Sequence, residues 1–328
     1  MIRSSAGPGP GASIPCCRTA ASIDILPADN RVMIREFVVI AHTIKGFSAV
    51  AGLKTIIERR MPRLYARLID FRDRMAPDYG EKELELVPIL AEADADAYDI
   101  GANYGAYTAP MLQTAGRVVA FEPNPTMSKV LKARFARDFR EGRLVLMPMA
   151  LGDAEGEAVL HVPEAGSGLA SMKEEAVRSV STPGMLHIAV AVRRLDDLKA
   201  DIGRGRRVGF VKIDVEGFEG TALRGAIETL KANRPTLLIE AEERHTPGTL
   251  AELQALLGPI GYRGLYLLDG RLHDMAGFDI ARLQDCSALN AEGTRRLPDR
   301  VYVNNFIFVA RPEPLARLEA AYGPVISA

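Results

Sequence analysis

Residues 97–107 read AYDIGANYGAY, in which a short, mostly apolar run containing Asp99 continues into a glycine-rich turn. Gly101 and Gly105 carry no Cβ, so they allow a tight turn and a close approach of the backbone to a ligand. The residues that follow have a helical pattern, and the first N–H groups of a helix favour a carboxylate or a phosphate. Three residues separate the glycines, which differs from the GxGxxG spacing of dinucleotide sites. The stretch predicts a strand, a turn and a helix, and leaves open whether the turn binds a ligand or only connects the two elements.

Short apolar runs alternate with amphipathic stretches from residue 96 onward. The predicted strands are 97–100, 117–122, 143–151, 157–162, 208–214, 236–242, 263–269 and 303–310. This alternation is typical of βαβ units, and it predicts an α/β fold with a mostly parallel sheet. The stretch 163–192 is long and poorly periodic, which is typical of a lid or a substrate loop.

Carboxylates stand at the ends of several predicted strands. Glu122 ends the strand in FEPNP (121–125), 23 positions after Asp99, where an acid can accept hydrogen bonds from both ribose hydroxyls. Asn124 and Pro125 follow, and these residue types favour a helix cap and a first helical turn. The carboxyl ends of parallel strands meet at one edge of a sheet, so we expect a cleft lined by acidic side chains there.

The stretch FVKIDVEGFE (210–219) adds Asp214, Glu216 and Glu219 to this edge. Buried carboxylates are costly unless they are paired or used, so their number indicates a site that holds a cation or removes a proton. We expect Lys212, two residues before Asp214, to neutralise it. An acid at a helix N-terminus also favours the helix dipole, and this explanation suits Glu219 better than catalysis.

The sequence resembles the FkbM family of class I S-adenosylmethionine-dependent methyltransferases over residues 96–242. The resemblance rests on DIGANYGAY, FEPNP, ALGDAEGE (150–157), and VKIDVEGFE followed by LRGAIETL and LLIEAE. It implies a Rossmann-like class I methyltransferase fold, with a mostly parallel seven-stranded sheet, helices on both faces and an N-terminal helical extension. It also implies S-adenosylmethionine as the cofactor and methyl transfer to a hydroxyl oxygen.

The resemblance assigns roles to named residues. Asp99, Gly101, Asn103 and Gly105 would hold the methionine part of the cofactor, and Glu122, next to Asn124, its ribose. Met149 and Ala150 would lie against the adenine. The predicted catalytic residues are Asp214 and Glu216, with Asp214 as the base that takes the proton of the acceptor hydroxyl. No metal site is predicted; the competing interpretation is a Mg²⁺ ion on Asp214, Glu240 and Glu242, whose oxygens suit that ion.

Two other functions are compatible with such a sheet. A nicotinamide-dependent oxidoreductase is disfavoured by the spacing of the glycines. A non-catalytic binding protein that retains the fold is disfavoured by the intact acidic residues at three strand ends. Among the histidines, His245 follows the 236–242 strand and lies within reach of the site, although an ordinary surface or core histidine is the simpler interpretation.

The acceptor is expected to be a small molecule or a glycan. The chain has 41 lysines and arginines against 42 acidic residues and no basic stripe, which argues against a nucleic-acid partner. Three cysteines without a CxxC pair, and the lack of a long apolar segment, favour the cytoplasm. We predict a disordered tail over 1–30, a helical extension over 31–80 and a methyltransferase domain over 81–328. The basic face of the extension is expected to be solvated, with a membrane surface as the alternative.

Overall fold

The computed structural model describes residues 55–75, 82–163, 170–172, 184–202, 206–290, 293 and 296–327. These residues belong to one unit, Leu53–Ala328. The predicted tail 1–30 and the first part of the predicted extension lie outside the described residues, so both stay predictions. The same holds for most of the predicted loop between 164 and 183.

The strands of the described chain form two sheets. In chain order they are β1 (Asp96–Ile100), β2 (Arg117–Phe121), β3 (Leu144–Met147), β4 (Ala150–Leu151), β5 (Gly156–Pro163), β6 (Met185–Arg193), β7 (Val208–Ile213), β8 (Thr236–Glu240), β9 (Arg263–Leu268), β10 (Arg271–Asp274) and β11 (Asn305–Val309). The large sheet has the order β3-β2-β1-β7-β8-β11-β9-β10. Strands β3, β2, β1, β7 and β8 are parallel to their neighbours, and β11 is antiparallel to both β8 and β9.

This order confirms the predicted Rossmann-like α/β fold. The chain moves outward from β1 to β3 and then returns to the other side of β1 with β7. The switch point therefore lies between β1 and β7, where ligands bind in open α/β sheets. Every residue of β1, β2, β7 and β11 is buried, as expected for strands that are covered on both faces.

The large sheet has eight strands among the described residues, not the seven that the resemblance implied. The additional strand, β10, pairs with β9 through the two-residue turn Asp269–Gly270, and both turn residues have positive φ (51° and 73°). An Asp-Gly pair favours this hairpin turn, so the sequence carried the signal. Ile326 lies along β10, donating to the Leu272 carbonyl (2.9 Å) and accepting from the Asp274 N–H (3.0 Å).

The small sheet corrects the prediction for 163–192. Residues 185–193 form β6, which pairs antiparallel with β5 and parallel with β4. Apolar residues at every second position of β6 (Leu186, Ile188, Val190 and Val192) pack with Leu160 and Val162 of β5. The other side of this hairpin is exposed, and so the stretch lacks the continuous apolar run of the central strands.

Helices cover both faces of the large sheet. They are α1 (Pro62–Met75), α2 (Val87–Leu90), α3 (Thr108–Thr114), α4 (Pro125–Arg134), α5 (Ala136–Arg140), α6 (Lys199–Ile202), α7 (Glu219–Arg224), α8 (Ile227–Asn233), α9 (Thr249–Leu257), α10 (Ile280–Leu283) and α11 (Pro312–Tyr322). Short 3₁₀ turns occur at Lys82–Leu86, Leu195–Asp197, Gly258–Ile260, Met275–Gly277 and Cys286–Ala288. Among the described helices, none is long and apolar enough to cross a membrane.

Helix α1 belongs to the predicted N-terminal extension. It begins at Pro62, after a helical stretch at 55–60, as expected for a proline that restarts a helix. Ala66 and Ile69 of α1 pack on Met127 and Val130 of α4. The described part of the extension therefore lies against the helix that follows β2.

Candidate active site

A cleft of about 680 Å³, partly open to solvent, lies at the carboxyl edge of the large sheet beside β1, β2 and β7. Its walls come from the turn after β1, the end of β2, the start of β4, the turn after β7 and residues 170–172. They are lined by Ile100, Gly101, Asn103, Phe121, Glu122, Pro123, Met149, Ala150, Leu151, Leu160, Ala170, Ser171, Met172, Asp214, Val215 and Glu216. Seven of the ten residues that we assigned to cofactor binding or catalysis line this cleft.

The turn after β1 requires glycine at its first position. Gly101 has φ +86°, and a Cβ there would lie 1.8 Å from the Asp214 carbonyl oxygen. The two strand ends touch because the Asp214 N–H donates to the Ile100 carbonyl (3.0 Å). Asn103 follows with φ +49°, and its side-chain Oδ1 is buried with no hydrogen-bond partner among the described residues. An unpartnered buried oxygen beside a cleft marks a place where a ligand can donate a hydrogen bond.

Glu122 is 6% exposed, and neutral donors hold both of its carboxylate oxygens. Oε2 accepts from the Asn103 N–H and Oε1 from the Asn124 N–H, each at 2.7 Å. Burial raises the pKa of Glu122 to about 7, although these two hydrogen bonds oppose the rise. Each oxygen keeps a second lone pair, so the group can still accept hydrogen bonds from a ligand.

Three predicted cofactor residues do not line the cleft but lie behind it. Asp99 is 2% exposed, accepts a hydrogen bond from the Thr108 hydroxyl (2.5 Å), and has its pKa raised to about 6 by burial. Gly105 packs on Phe135, whose Cε2 would lie 2.5 Å from a Cβ at this position. Asn124 caps α4 by accepting from the Thr126 N–H (2.9 Å). In the structure these residues support the two turns that face the cleft.

The turn after β7 is held in a strained conformation. Glu216 has φ +50°, which is unfavourable for a residue with a Cβ. The Ser171 hydroxyl donates to the Glu216 carbonyl (2.7 Å), and the Thr246 hydroxyl donates to the carbonyl of Gly217 (3.1 Å). The Gly217 N–H donates to the Glu219 carboxylate (2.9 Å). Strain that several side chains maintain is characteristic of functional sites.

Glu216 forms a pair with His245, which comes from the loop after β8. His245 Nδ1 lies 3.1 Å from Glu216 Oε2, and both side chains are largely buried. Burial raises the pKa of Glu216, while the hydrogen bond from His245 opposes this rise. Burial lowers the pKa of His245, but the contact with Glu216 outweighs it and leaves the pKa above its ordinary value. The pair joins the ends of β7 and β8 next to the cleft.

Lys212 connects the carboxylates at the edge. Its side chain is fully buried, with Nζ 3.6 Å from Glu240 Oε2 and 3.8 Å from Asp214 Oδ2. Nζ also donates to Asn305 Oδ1 (3.2 Å) and lies 4.7 Å from the centre of the Tyr107 ring. The contact between Lys212 and Asp214 matches our expectation from their spacing, whereas the partnership with Glu240 and Asn305 was missed. A lysine inside an apolar strand is the signal that such partners exist, but the sequence does not identify them.

Glu242 forms a separate hydrogen-bonded group with Arg244 and Tyr302. It accepts from Arg244 Nε (2.6 Å) and Nη2 (2.9 Å), and the Tyr302 hydroxyl donates to it as well. Burial raises the pKa of Glu242, but the hydrogen bonds from Arg244 and Tyr302 outweigh burial and lower it. A carboxylate engaged in this way is a poor candidate for the competing Mg²⁺ site. Among the described residues, no group of three or more metal-ligating side chains is placed to hold an ion.

The sheet order and the cleft at its switch point are those of a class I methyltransferase. A family model described as "Methyltransferase FkbM domain" matches residues 99–263, half of the 328 residues. The chain belongs to the FkbM methyltransferase family. No curated protein matches it.

The solved structures that match this chain include the following three. The methyltransferase FkbM from Methylobacillus flagellatus KT is 18% identical, and the match covers 86% of this chain and 60% of that one, with a TM-score of 0.42. This chain thus spans less than two thirds of that protein. The O-methyltransferase from Bacillus cereus in complex with SAH is 12% identical, with 78% and 95% covered and a TM-score of 0.40. An rRNA methylase from Streptococcus thermophilus is 11% identical, with 69% and 91% covered and a TM-score of 0.33.

Proposed function

We propose that the protein transfers the methyl group of S-adenosylmethionine to a hydroxyl oxygen of a small molecule or a glycan. The observation that carries this proposal is that the glycine turn, Glu122 and Asp214 line one and the same cleft. Membership of a methyltransferase family supports it. Oxygen as the acceptor atom and the class of acceptor come from the family resemblance. The proposed compartment is the reducing cytoplasm, and we propose no nucleic-acid partner.

The residues of the cleft suit the chemistry of the cofactor. S-adenosylmethionine is a zwitterion with a sulfonium cation, so it needs hydrogen-bonding groups, negative charge and an apolar slot. Asn103 offers an unpartnered buried oxygen, and Glu122 offers free lone pairs for the ribose hydroxyls. Met149, Ala150 and other apolar residues line the remaining wall and would hold the adenine. The absence of a Cβ at Gly101 keeps the turn close to the end of β7.

The cofactor supplies a methyl group that is already activated by the positive charge on sulfur. The chain must then orient the acceptor and remove its proton, which are the usual contributions of positioning and general-base catalysis. Asp214 and Glu216 are the carboxylates of the turn after β7 that line the cleft. We assign proton removal to Asp214, whose charge is balanced by the nearby Lys212 at 3.8 Å.

Calorimetry with S-adenosylhomocysteine, and with NAD as the competing cofactor, tests the proposal. The wild type should bind S-adenosylhomocysteine and ignore NAD. Glu122→Ala should weaken binding by about 1–3 kcal/mol, because it removes a charged hydrogen-bond acceptor. Glu228→Ala, at an exposed position on α8 that does not line the cleft, is the matched control and should bind like the wild type.

Binding of NAD instead of S-adenosylhomocysteine would favour the oxidoreductase. Equal affinity of Glu122→Ala and wild type would remove the ribose assignment. Binding without methyl transfer to any acceptor would favour the non-catalytic protein. We would search for the acceptor by incubating the protein with methyl-labelled cofactor and extracts of the source cells, and identifying the labelled product.

A further inference from the structure

One buried arginine joins helix α1 to the glycine turn. Arg134, the last residue of α4, has a side chain that is only 3% exposed. Its Nε donates to Asp70 Oδ1 (2.8 Å) and its Nη2 to Asp73 Oδ2 (2.5 Å), both on α1. Its Nη1 donates to the carbonyls of Tyr104 (3.1 Å) and Gly105 (3.2 Å). A single guanidinium thus contacts two acids of α1 and two consecutive carbonyls of the turn.

Further contacts hold the same turn from the side away from the cleft. The guanidinium of Arg72 lies 5.2 Å from the centre of the Tyr104 ring, and it also donates to Asp73. The Tyr104 side chain packs in the apolar cluster between α1 and α4. Gly105 lies against Phe135, which prevents the turn from moving toward α4.

The cleft side of the turn carries the atoms that we assign to the cofactor. Asn103, one residue before Tyr104, has a left-handed backbone and places its N–H on Glu122 (2.7 Å). A left-handed residue with a Cβ is held by its surroundings, since its own preference is for other conformations. The carbonyls that Arg134 fixes follow directly, so the arginine limits the rotations open to Asn103.

The energetics of the Arg134 ion pairs indicate that they position the glycine turn more than they stabilise the folded protein. Burying a guanidinium with carboxylates carries a large desolvation cost, and apolar replacements of such groups are often as stable. The ion pairs of Arg134 therefore contribute a defined geometry more than they contribute to the free energy of unfolding.

We propose that helix α1 supports the cofactor site from behind the glycine turn. Asp70 and Asp73 act through Arg134 to hold residues 101–105 in the conformation that presents Gly101 and Asn103 to the cofactor. Helix α1 lies outside the family-matched residues 99–263. The inference rests on the proposed function, and it makes Arg134, Asp70 and Asp73 positioning residues.

Coupling between two sites is reciprocal, so the wild type provides the first test. Hydrogen–deuterium exchange is measured with and without S-adenosylhomocysteine. The ligand should slow the exchange of α1 amides, although α1 does not line the cleft. The amides of α11, which also lies away from the cleft, serve as the control and should not respond. Unchanged exchange in α1 would overturn the inference without any mutation.

The second test uses the double variant Asp70→Asn, Asp73→Asn. Both acids are 37% exposed, which limits the cost of the change, but the buried Arg134 loses its charge partners and some stability should be lost. Circular dichroism therefore checks that the variant is folded before its affinity is measured. Affinity for S-adenosylhomocysteine should fall on the order of 10-fold, within the usual range of coupling between sites. The ligand-induced protection of α1 should disappear in the same variant. Arg134→Met, which keeps much of the packing, should give the same loss of affinity.

Arg137→Gln is the matched control. Arg137 lies three residues after Arg134, and its partner Glu141 forms an exposed pair with it on the surface. This variant should keep both the affinity and the protection of α1. If the wild type fails to bind S-adenosylhomocysteine, the proposed function is wrong and the inference falls with it. If the wild type binds and the double variant binds equally well, the inference alone is wrong.

Discussion

Strand β1 carries a buried aspartate near each end, and the two aspartates have different partners. Asp96, at the amino edge, is 1% exposed and forms ion pairs with Arg117 and with Arg206 (3.1 Å). Asp99, at the carboxyl edge, is buried to a similar degree, yet its direct partner is the neutral hydroxyl of Thr108 (2.5 Å). Burial without a directly contacting cation raises the pKa of Asp99 to about 6.

Glu122 at the end of β2 follows the pattern of Asp99. Both of its hydrogen bonds come from backbone N–H groups, and its pKa is raised to about 7 by burial. Burial alone therefore does not distinguish a structural carboxylate from a functional one. The amino edge provides its own cations, whereas this part of the carboxyl edge keeps acids with neutral partners beside an open cleft. Strongly perturbed acids in a cleft are candidates for ligand binding.

The largest effect that we expect is a loss of turnover on substitution of Asp214, which lines the cleft at the carboxyl edge. Asp214→Asn keeps the shape and removes the charge, so turnover on the true acceptor should fall about 10²–10⁴-fold, the usual loss of a general base. Binding of S-adenosylhomocysteine should fall only modestly. Single-turnover methyl transfer and calorimetry measure the two quantities.

The same variant separates the base from the competing metal. If Asp214 is the base, wild-type activity survives EDTA, and the variant stays inactive at every Mg²⁺ concentration. If Mg²⁺ holds the acceptor, EDTA abolishes wild-type activity and added Mg²⁺ restores it. Turnover by Asp214→Asn at the wild-type rate would contradict both and leave Asp214 as a structural carboxylate.

A large effect on stability is expected at the amino edge. Asp96→Asn leaves Arg117 buried without its charge partner, which should lower the free energy of unfolding by about 3–5 kcal/mol. Affinity of the folded protein for S-adenosylhomocysteine should not change. Asp99→Asn should do the reverse, with little loss of stability and weaker ligand binding. Urea denaturation and calorimetry measure stability and binding for both variants. Impaired binding in Asp96→Asn, or unfolding of Asp99→Asn, would show that the two aspartates do not differ in role.

The raised pKa values also predict a smaller effect, a dependence of stability on pH. Glu122 and Glu219 have pKa values raised to about 7, and Asp99 to about 6, so the native state holds protons that the unfolded chain has released. The free energy of unfolding should therefore decrease as pH rises from about 5 to about 8. The raised pKa of His245 acts in the same direction. The lowered pKa values of Glu92 and Glu242 reduce stability only in more acidic solution.

Ligand binding should change in the opposite direction over that range. Only ionised Glu122 accepts hydrogen bonds from both ribose hydroxyls, so affinity for S-adenosylhomocysteine should rise about tenfold between pH about 6 and about 8. Thermal melts and calorimetry across this range measure the two trends. Glu122→Gln should flatten the pH dependence of binding and weaken that of stability, to which Glu219, Asp99 and His245 still contribute. A wild-type melting temperature that rises with pH would contradict the assignment.

Much of the fold could be predicted because the decisive signals are local. Each central strand is an apolar run that ends in a recognisable turn or acid, and the Rossmann-like arrangement of these strands is the one that the family resemblance implied. Strand β6 was missed because half of it faces solvent, and β10 because the Asp269–Gly270 turn was taken as the end of a strand. The helix that Asn124 and Pro125 predict after β2 is divided at Phe135 into α4 and α5.

The candidate site could be predicted only in outline. Seven assigned residues line the cleft, because residue type and position at a strand end determine which edge of the sheet they reach. The partners of those residues depend on contacts between distant segments. Lys212 meets Asn305 from 93 positions away, and Arg134 meets Asp70 from 64 positions away. No local pattern encodes such pairs, so the contact of Arg134 with the glycine turn could be found only in the structure.

The segment around Ile326 has a consequence for handling the protein. An outermost strand exposes a row of unpaired N–H and C=O groups, which can recruit strands from other molecules and start aggregation. Ile326 occupies part of that row on β10 through its bonds to Leu272 and Asp274. Removing the last few described residues would leave the cleft beside β1, β2 and β7 untouched but would expose this edge. We therefore expect a shortened chain to aggregate more readily through β10, which lies away from the cleft.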